Sequence, residues 1–375
     1  MIVRDVLADL SRWWREGSPV GMATVVGTWK SAPRPPGATM LVGPDQTAVG
    51  SVSGGCVEAA VYELGLEAIG TGEPRLVRYG VSDDDAFSVG LTCGGIIDIF
   101  VERIDPASFP QLGDVASAIA AQQPVAVATV IRDPAGRLGQ RVVVWPDRVD
   151  GTLGSAHFDE ALTEDVRGLL AVGQTGPLHY GTDGERLGDE VDVFVAVYAP
   201  PPRLLVFGAI DFAAALARQG AFLGYRVTVC DARPVFATSR RFPGVEVVVD
   251  WPHRYLNGEI AAGRVDGRTV VCVLTHDPKF DVPVLQVALE REFAYVGAMG
   301  SRRTHDDRIA GLLAAGVPEA QLKKLHSPIG LALGARTPEE TAVSITAEII
   351  ADRWGGDGQK LSTLDGSIHE NLDRR

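Results

Sequence analysis

The sequence predicts an α/β protein in two parts, an N-terminal α+β domain with glycine-rich, cysteine-bearing loops and a C-terminal domain built on a doubly wound parallel sheet. Three observations predict it. Ala199-Pro200-Pro201-Pro202 is a proline run that neither continues a strand nor joins a ladder, which marks a linker. After it, short apolar strands alternate with helical stretches, as βαβ units do. Before it, strands come in pairs around turn sequences such as Gly43-Pro44-Asp45-Gln46 and Asp133-Pro134-Ala135-Gly136, the mark of antiparallel hairpins. The expected boundaries are 1–199, with a sub-boundary near 105–120, then 203–354, and a mobile tail over 355–375 where the chain turns glycine-rich and polar.

In order, Val3, Val6, Leu7, Leu10, Trp13 and Trp14 repeat at helical steps and predict a first helix ending near Gly17-Ser18-Pro19. Trp13 and Trp14 fit a core, with an oligomer contact as the other reading. Val20 to Trp29 reads as a strand, followed by the stiff loop Ser31-Ala32-Pro33-Arg34-Pro35-Pro36-Gly37. Arg34 is either a cation preorganised by prolines for an acidic ligand or a solvated loop residue. Ala38 to Val42 and Thr47 to Val52 form a hairpin that runs into Gly50-Ser51-Val52-Ser53-Gly54-Gly55-Cys56-Val57-Glu58.

That stretch is the first candidate site. Gly54 and Gly55 permit positive φ or close approach of a ligand. The spacing of Val57, Ala60, Val61, Leu64 and Ala68 places Cys56 in the first turn of a helix running to about Ile69. Unpaired N–H groups and the dipole favour an anion or a thiolate there. The alternative is a tight strand-to-helix turn with a small buried cysteine. Glu58 is either a positioning group or a first-turn carboxylate stabilising its own helix.

Further strands are expected at Arg75 to Tyr79, Ile96 to Glu102, Val125 to Ile131, Arg141 to Trp145 and Val191 to Tyr198, with a helix from Phe158 to Val172. Ser82-Asp83-Asp84-Asp85 could hold a divalent cation, though an exposed charged loop explains it as well. Cys93-Gly94-Gly95 mirrors Gly54-Gly55-Cys56, either as a converging second thiol or as an independent turn.

Past the linker, Arg203 to Phe207, a turn at Gly208, a helix from Phe212 to Gly224, and Arg226 to Cys230 ending at Asp231 make a βαβ unit. The glycine and the acidic residue after the second strand resemble a dinucleotide fingerprint, with Gly208 for a pyrophosphate and Asp231 for a ribose. Ile210 stands where the second glycine belongs, and its branched side chain obstructs the usual NAD pose. The domain is Rossmann-like, with NAD(P) a doubtful ligand. Strands at Val245 to Val249, Thr269 to Thr275 and Ala294 to Val296, with a helix from Val282 to Glu292, extend the sheet. Ligands in such sheets lie off the carboxyl ends of the strands. There His276 and Asp277 could act as an acid–base pair or as surface hydrogen-bonding groups, and Ser301, Arg302 and Arg303 could cradle a phosphate. Thr337-Pro338-Glu339-Glu340 reads as a capping box opening the last helix.

The totals set limits. With 375 residues and 46% hydrophobic composition, the chain can bury two or three cores. The balance of 35 Lys and Arg against 48 Asp and Glu, formally −13, excludes a general nucleic-acid or anionic-membrane surface, so an anion site must be local. Cys56, Cys93, Cys230 and Cys272 stand far apart without a C-x-x-C pair, against a disulfide framework or a structural zinc and in favour of a reducing cytosol. Neither export nor membrane spanning is expected.

Taken together, Ser31 to Met40, Gly50 to Glu58, Leu91 to Gly95, Phe236 to Pro243, Leu274 to Pro278, Gly297 to Arg303 and Ser327 to Leu331 make the chain resemble the XdhC/CoxI family, accessory factors of xanthine dehydrogenase and carbon monoxide dehydrogenase. The resemblance implies a cytoplasmic homodimeric chaperone. Such a factor binds molybdenum cofactor, protects it while a cysteine desulfurase adds the sulfido ligand, and hands it to the large subunit of an apo molybdenum hydroxylase. Molybdopterin carries a phosphate and a metal, so the resemblance points to Gly54, Gly55 and Cys56 as the cradle, with Cys56 as a soft contact to molybdenum. Arg34, Ser51 and Ser53 would serve as donors, Glu58 as a positioning group, and Cys93, beside Gly94 and Gly95, as the second thiol. A cytosine dinucleotide form of the cofactor would give the Rossmann-like domain a purpose. A nicotinamide-dependent oxidoreductase using His276 is the competing expectation.

Overall fold

The computed structural model describes residues 3–29, 34–80 and 95–364. The chain divides into two compact units between Pro200 and Pro201. It is a mixed α/β protein, with antiparallel sheets in the first unit and a parallel Rossmann sheet in the second.

The first unit runs α1 (Val3–Arg15), β1 (Val20–Trp29), β2 (Thr39–Val42), β3 (Ala48–Gly50), α2 (Glu58–Thr71), β4 (Arg75–Tyr79) and β5 (Ile96–Ile104). It continues with α3 (Leu112–Ala120), β6 (Val125–Arg132), β7 (Arg141–Val144), β8 (Val149–Gly151), α4 (Ala156–Val172), β9 (Gly176–Tyr180) and β10 (Val191–Tyr198). The two series have the same element order, and their sheets have the same strand order, β3-β2-β1-β5-β4 and β8-β7-β6-β10-β9. The unit is an internal duplication.

The strand registers make the equivalence residue by residue. Thr24 pairs with Thr39 and Phe100, and Thr129 pairs with Arg141 and Phe194. Register shifts fall beside Val25 in β1 and Val193 in β10, so Val26 and Ile131 are the extra residues of equivalent bulges. Gly50 and Gly151 have φ of 86° and 100°, and a Cβ on either would lie 2.3 Å from the carbonyl oxygen of Thr39 or Arg141. Only glycine fits this step out of the hairpin.

Each half has its own core of sheet against helix, one around Val25, Val61 and Ile99, the other around Val130, Leu162 and Val193. The halves join through Val26, Phe100, Ile131 and Phe194, two pairs of equivalent residues. Beside them lies a cavity of about 50 Å³ lined by residues of both sheets. Glu102 of β5 and Arg141 of β7 form a buried ion pair across the halves. Burial pushes the Glu102 carboxyl up, against the opposing charge of Arg141. Trp13 is buried and the Trp14 indole donates to the Phe109 carbonyl at 3.0 Å, so both tryptophans serve packing.

The second unit runs β11 (Arg203–Phe207), α5 (Asp211–Phe222), β12 (Arg226–Cys230), β13 (Glu246–Val248), α6 (Pro252–Ala261), β14 (Val270–Val273) and α7 (Pro278–Leu289). Then follow β15 (Tyr295–Ala298), α8 (Arg302–Ala314), α9 (Glu319–Leu322), β16 (Leu325–His326) and α10 (Pro338–Trp354). The parallel order β13-β12-β11-β14-β15-β16 reverses direction between β11 and β14, so the ligand-binding switch point lies between the loops after those strands. The capping box is present, with Thr337 and Glu340 each bonded to the other's backbone.

Several elements differ from the sequence expectation. The helix after the first hairpin starts at Glu58, not Cys56, because Gly54 and Gly55 hold positive φ and keep the chain out of the helical region. β8 is exposed along its length and β16 has two residues, so neither has an apolar alternation to read.

Candidate functional site

The loop between β3 and α2 folds around one carboxylate. Glu58 Oε1 accepts from Ser51 Oγ at 2.7 Å, Ser53 N at 2.9 Å and Gly54 N at 2.9 Å. Its Oε2 accepts from Ser53 Oγ at 2.5 Å, Gly55 N at 2.8 Å and Val57 N at 3.2 Å. Ser53 Oγ in turn accepts from the N–H of Cys56 at 3.0 Å. Burial pulls the Glu58 carboxyl upward, but the hydroxyls of Ser53 and Ser51 and the backbone donors outweigh it and hold its pKa at about 2. Glu58 is therefore a fixed anion that organises the loop.

The N–H groups expected to hold an anion are already committed to Glu58. Gly54 and Gly55 are exposed, with φ of 81° and 121°, and a Cβ on either would meet nothing within 4 Å. The surface above them is open. Cys56 is half-buried and packs against the first-half core, ahead of the helix rather than in it.

The second half supplies the control. At the equivalent place Asp159 accepts from Thr152 Oγ1 at 2.5 Å and from Leu153 N at 2.7 Å. The hydroxyl–carboxylate latch is shared. Where the first half has Gly54-Gly55-Cys56, the second has Ser155-Ala156-His157. Ser155 caps α4 by accepting from Phe158 N at 3.4 Å, and the helix starts at once. The scaffold closes without a glycine pair or a thiol, so those features are additions to the first half.

Of the other expected residues in this unit, Arg34 is half-buried ahead of β2, and Gly95 is buried with its carbonyl against Gly80. Cys93, Gly94 and Ser82 to Asp85 lie outside the described residues. No group of three His, Cys, Asp or Glu able to hold a metal occurs among the described residues.

In the second unit, Gly208 has φ of 108°, and a Cβ on it would lie 2.8 Å from Thr275 Cγ2, so the loops after β11 and β14 touch at the switch point. Asp231 is buried, and both of its oxygens are taken. Oδ2 accepts from Ala209 N at 2.8 Å and Arg233 Nη2 at 2.7 Å, and Oδ1 from Arg233 N and Nε, both at 2.9 Å. Burial alone would raise its pKa; Arg233 and the backbone donors lower it instead. The ribose-accepting role expected of Asp231 is closed, because its lone pairs are occupied inside the protein.

Asp277 caps α7 through Lys279 N at 3.1 Å and pairs with Lys279 Nζ at 2.9 Å, while His276 is exposed. No hydrogen bond joins them among the described residues, so the expected acid–base pair does not form. Ser301 caps α8 through Thr304 N at 3.1 Å, and Arg302 and Arg303 are exposed on its first turn. Sequence reasoning missed the buried pair Asp281–Arg308 beneath these loops. Arg308 donates to Asp281 at 2.9 Å, to the Met299 carbonyl at 2.7 Å and to Ser327 Oγ at 3.1 Å, tying α7 to the loops after β15 and β16. Gly330 N donates to Glu348 at 2.7 Å, which gives the Ser327 to Leu331 motif a structural role. Burial pushes the Cys230 thiol up to about 12 and the Cys272 thiol in the same direction, which leaves both inert beside the more accessible Cys56.

A model of the XdhC and CoxI family matches residues 13–80 and 118–181, and a model of the XdhC Rossmann domain matches residues 204–349. The chain belongs to the XdhC/CoxI family. The two segments of the XdhC/CoxI match cover corresponding elements of the duplicated halves. Among relatives, a Bacillus subtilis protein named as a probable xanthine dehydrogenase subunit is 29% identical over 352 residues, 88% of this chain and 92% of that one. An Escherichia coli protein named molybdenum cofactor insertion chaperone PaoD is 28% identical over 337 residues, 90% of this chain and 84% of its own length. A crystal structure described as a xanthine dehydrogenase from Bacillus halodurans is 26% identical with a TM-score of 0.66, covering 97% of this chain and 98% of that one. No helix among the described residues of this XdhC/CoxI chain is long and apolar enough to cross a membrane.

Proposed function

We propose that the chain is an accessory factor that binds molybdenum cofactor, protects it while a cysteine desulfurase supplies the terminal sulfido ligand, and delivers it to an apo molybdenum hydroxylase. It would work as a cytoplasmic homodimer. The observation that carries this reading is Gly54-Gly55-Cys56 in a latch that the second half closes with Ser155-Ala156-His157 instead. The likeness to a relative named as a cofactor insertion chaperone supports it.

The residues fit part of the cofactor. When bound, molybdopterin would supply a soft metal centre. An accessible thiol beside two residues without Cβ suits that end, and Glu58 would hold the loop so that Cys56 is presented the same way on each encounter. The phosphate does not fit this loop. Its N–H donors converge on Glu58, and a carboxylate at their focus repels a second anion.

Molybdenum and pterin content of protein purified from a cofactor-producing host tests the reading. Wild type is expected to carry both, and Cys56→Ala to lose about tenfold or more of the metal, a soft-ligand contact being worth at least that factor. Wild type that stays empty when mixed with fresh cofactor refutes the function. Undiminished binding by Cys56→Ala refutes only the site.

A further inference from the structure

The second unit presents the wrong sign of charge for its fingerprint. In a dinucleotide fold the acidic residue after the second strand accepts the ribose hydroxyls, whereas an arginine near that position meets a 2′-phosphate. Here Asp231 is 1% exposed and fully hydrogen-bonded. What reaches the surface is Arg233, its side chain 42% exposed and locked by that carboxylate into one orientation.

A second guanidinium shares an aromatic neighbour with it. Arg241 donates to the Ala209 carbonyl at 2.9 Å and to Asp211 Oδ1 at 2.9 Å, so it covers the turn that follows Gly208. Phe236 ties the two together, with the guanidinium carbon of Arg233 4.6 Å and that of Arg241 5.8 Å from its ring centre. Val235, 72% exposed, adds apolar surface beside them. Three carboxylates face this pair. Asp231 is buried, Asp277 is bound to Lys279, and the side chain of Asp211 is 83% exposed and can turn into water when another anion takes its place on Arg241.

We propose that this crevice binds an adenine nucleotide carrying a 2′-phosphate, the NADP type rather than the NAD type. Arg233 and Arg241 clamp the phosphate, and Val235 and Phe236 flank the base. Asp231 acts as a positioning residue for Arg233. Paired guanidiniums matched to a phosphate form charge-assisted hydrogen bonds that a hydroxyl cannot replace.

Calorimetric titration of the full chain with 2′,5′-ADP, 3′,5′-ADP and 5′-AMP tests this. The expected result is that 2′,5′-ADP binds about tenfold or more tighter than either of the others, as loss of a charge-assisted bidentate contact predicts. Arg241→Gln should abolish that preference, with the melting temperature read alongside because the side chain is 32% exposed and bonded to the Ala209 carbonyl. Arg233→Lys, which keeps a cation beside Asp231, should weaken it through loss of the fork. Absence of saturable 2′,5′-ADP binding, equal binding of 3′,5′-ADP, or an unaltered preference in Arg241→Gln would each overturn the proposal. None of these readouts depends on bound molybdenum.

Discussion

The two halves of the first unit share a fold and differ in one loop. In both, a glycine ends the hairpin, a hydroxyl and a backbone N–H reach an acidic side chain, and the helix closes with a left-handed glycine, Gly72 or Gly173. In the second half that is all the loop does. In the first, Gly54 and Gly55 unwind what would be the opening turn of the helix, and the longer Glu58 takes six donors where Asp159 takes two. A structural requirement would appear in both copies. The glycine pair and Cys56 appear once, so the shared scaffold does not require them.

The largest expected effect tests the duplication itself. Phe100 and Phe194 are buried equivalents where the halves meet, so Phe100→Ala and Phe194→Ala should each cost about 3–5 kcal/mol, with similar values if the join is pseudo-symmetric. Denaturant unfolding measures both, and a loss confined to one of them would break the equivalence.

Next comes the latch. Glu58→Ala strands six donors and should cost about 1–3 kcal/mol, whereas Asp159→Ala should cost about 1 kcal/mol. The pH dependence sharpens this. The pKa of Glu58 is lowered by folding from 4.5 to about 2, so its contribution is fully present above 4.5 and is lost as pH falls toward 2. The stability gap between wild type and Glu58→Ala should shrink over that range, and a gap independent of pH would show that the carboxylate does not hold the loop.

A smaller effect on stability than that of Glu58→Ala is expected from making the first half like the second. Gly54→Ser with Gly55→Ala should cost about 1–2 kcal/mol, because the space above both is open but each holds a positive φ that the substituted chain must leave, with loss of two N–H bonds to Glu58. It should slow modification of Cys56 by a thiol reagent and lower molybdenum content. Retention of both would mean that the open loop is not what matters.

Much of this was legible in the chain. The two hairpins, β1, β4, β10, β11 and β12 at their observed bounds and the capping box at Thr337 all follow from local chemistry, in which turn residues and side-chain period act within a few positions. The candidate loop was legible as a place, through its glycines and its thiol. Its organisation was not. Glu58 gathers the loop rather than opening a helix at once because Gly54 and Gly55 hold positive φ after a hairpin exit fixed by Gly50 against the Thr39 carbonyl, a contact the second half shares at Gly151.

The fold class and the residues worth watching follow from the chain alone, because periodicity and backbone preference are properties of short segments. What those residues face depends on how the chain packs. Packing bound the Asp231 carboxylate to Arg233, committed the loop donors to Glu58, and aligned Cys56 with His157 across a duplication that few shared residues betray. Strand registers are set by distant parts of the chain, which no local pattern encodes, and they fix the backbone turns in which these sequence neighbours meet.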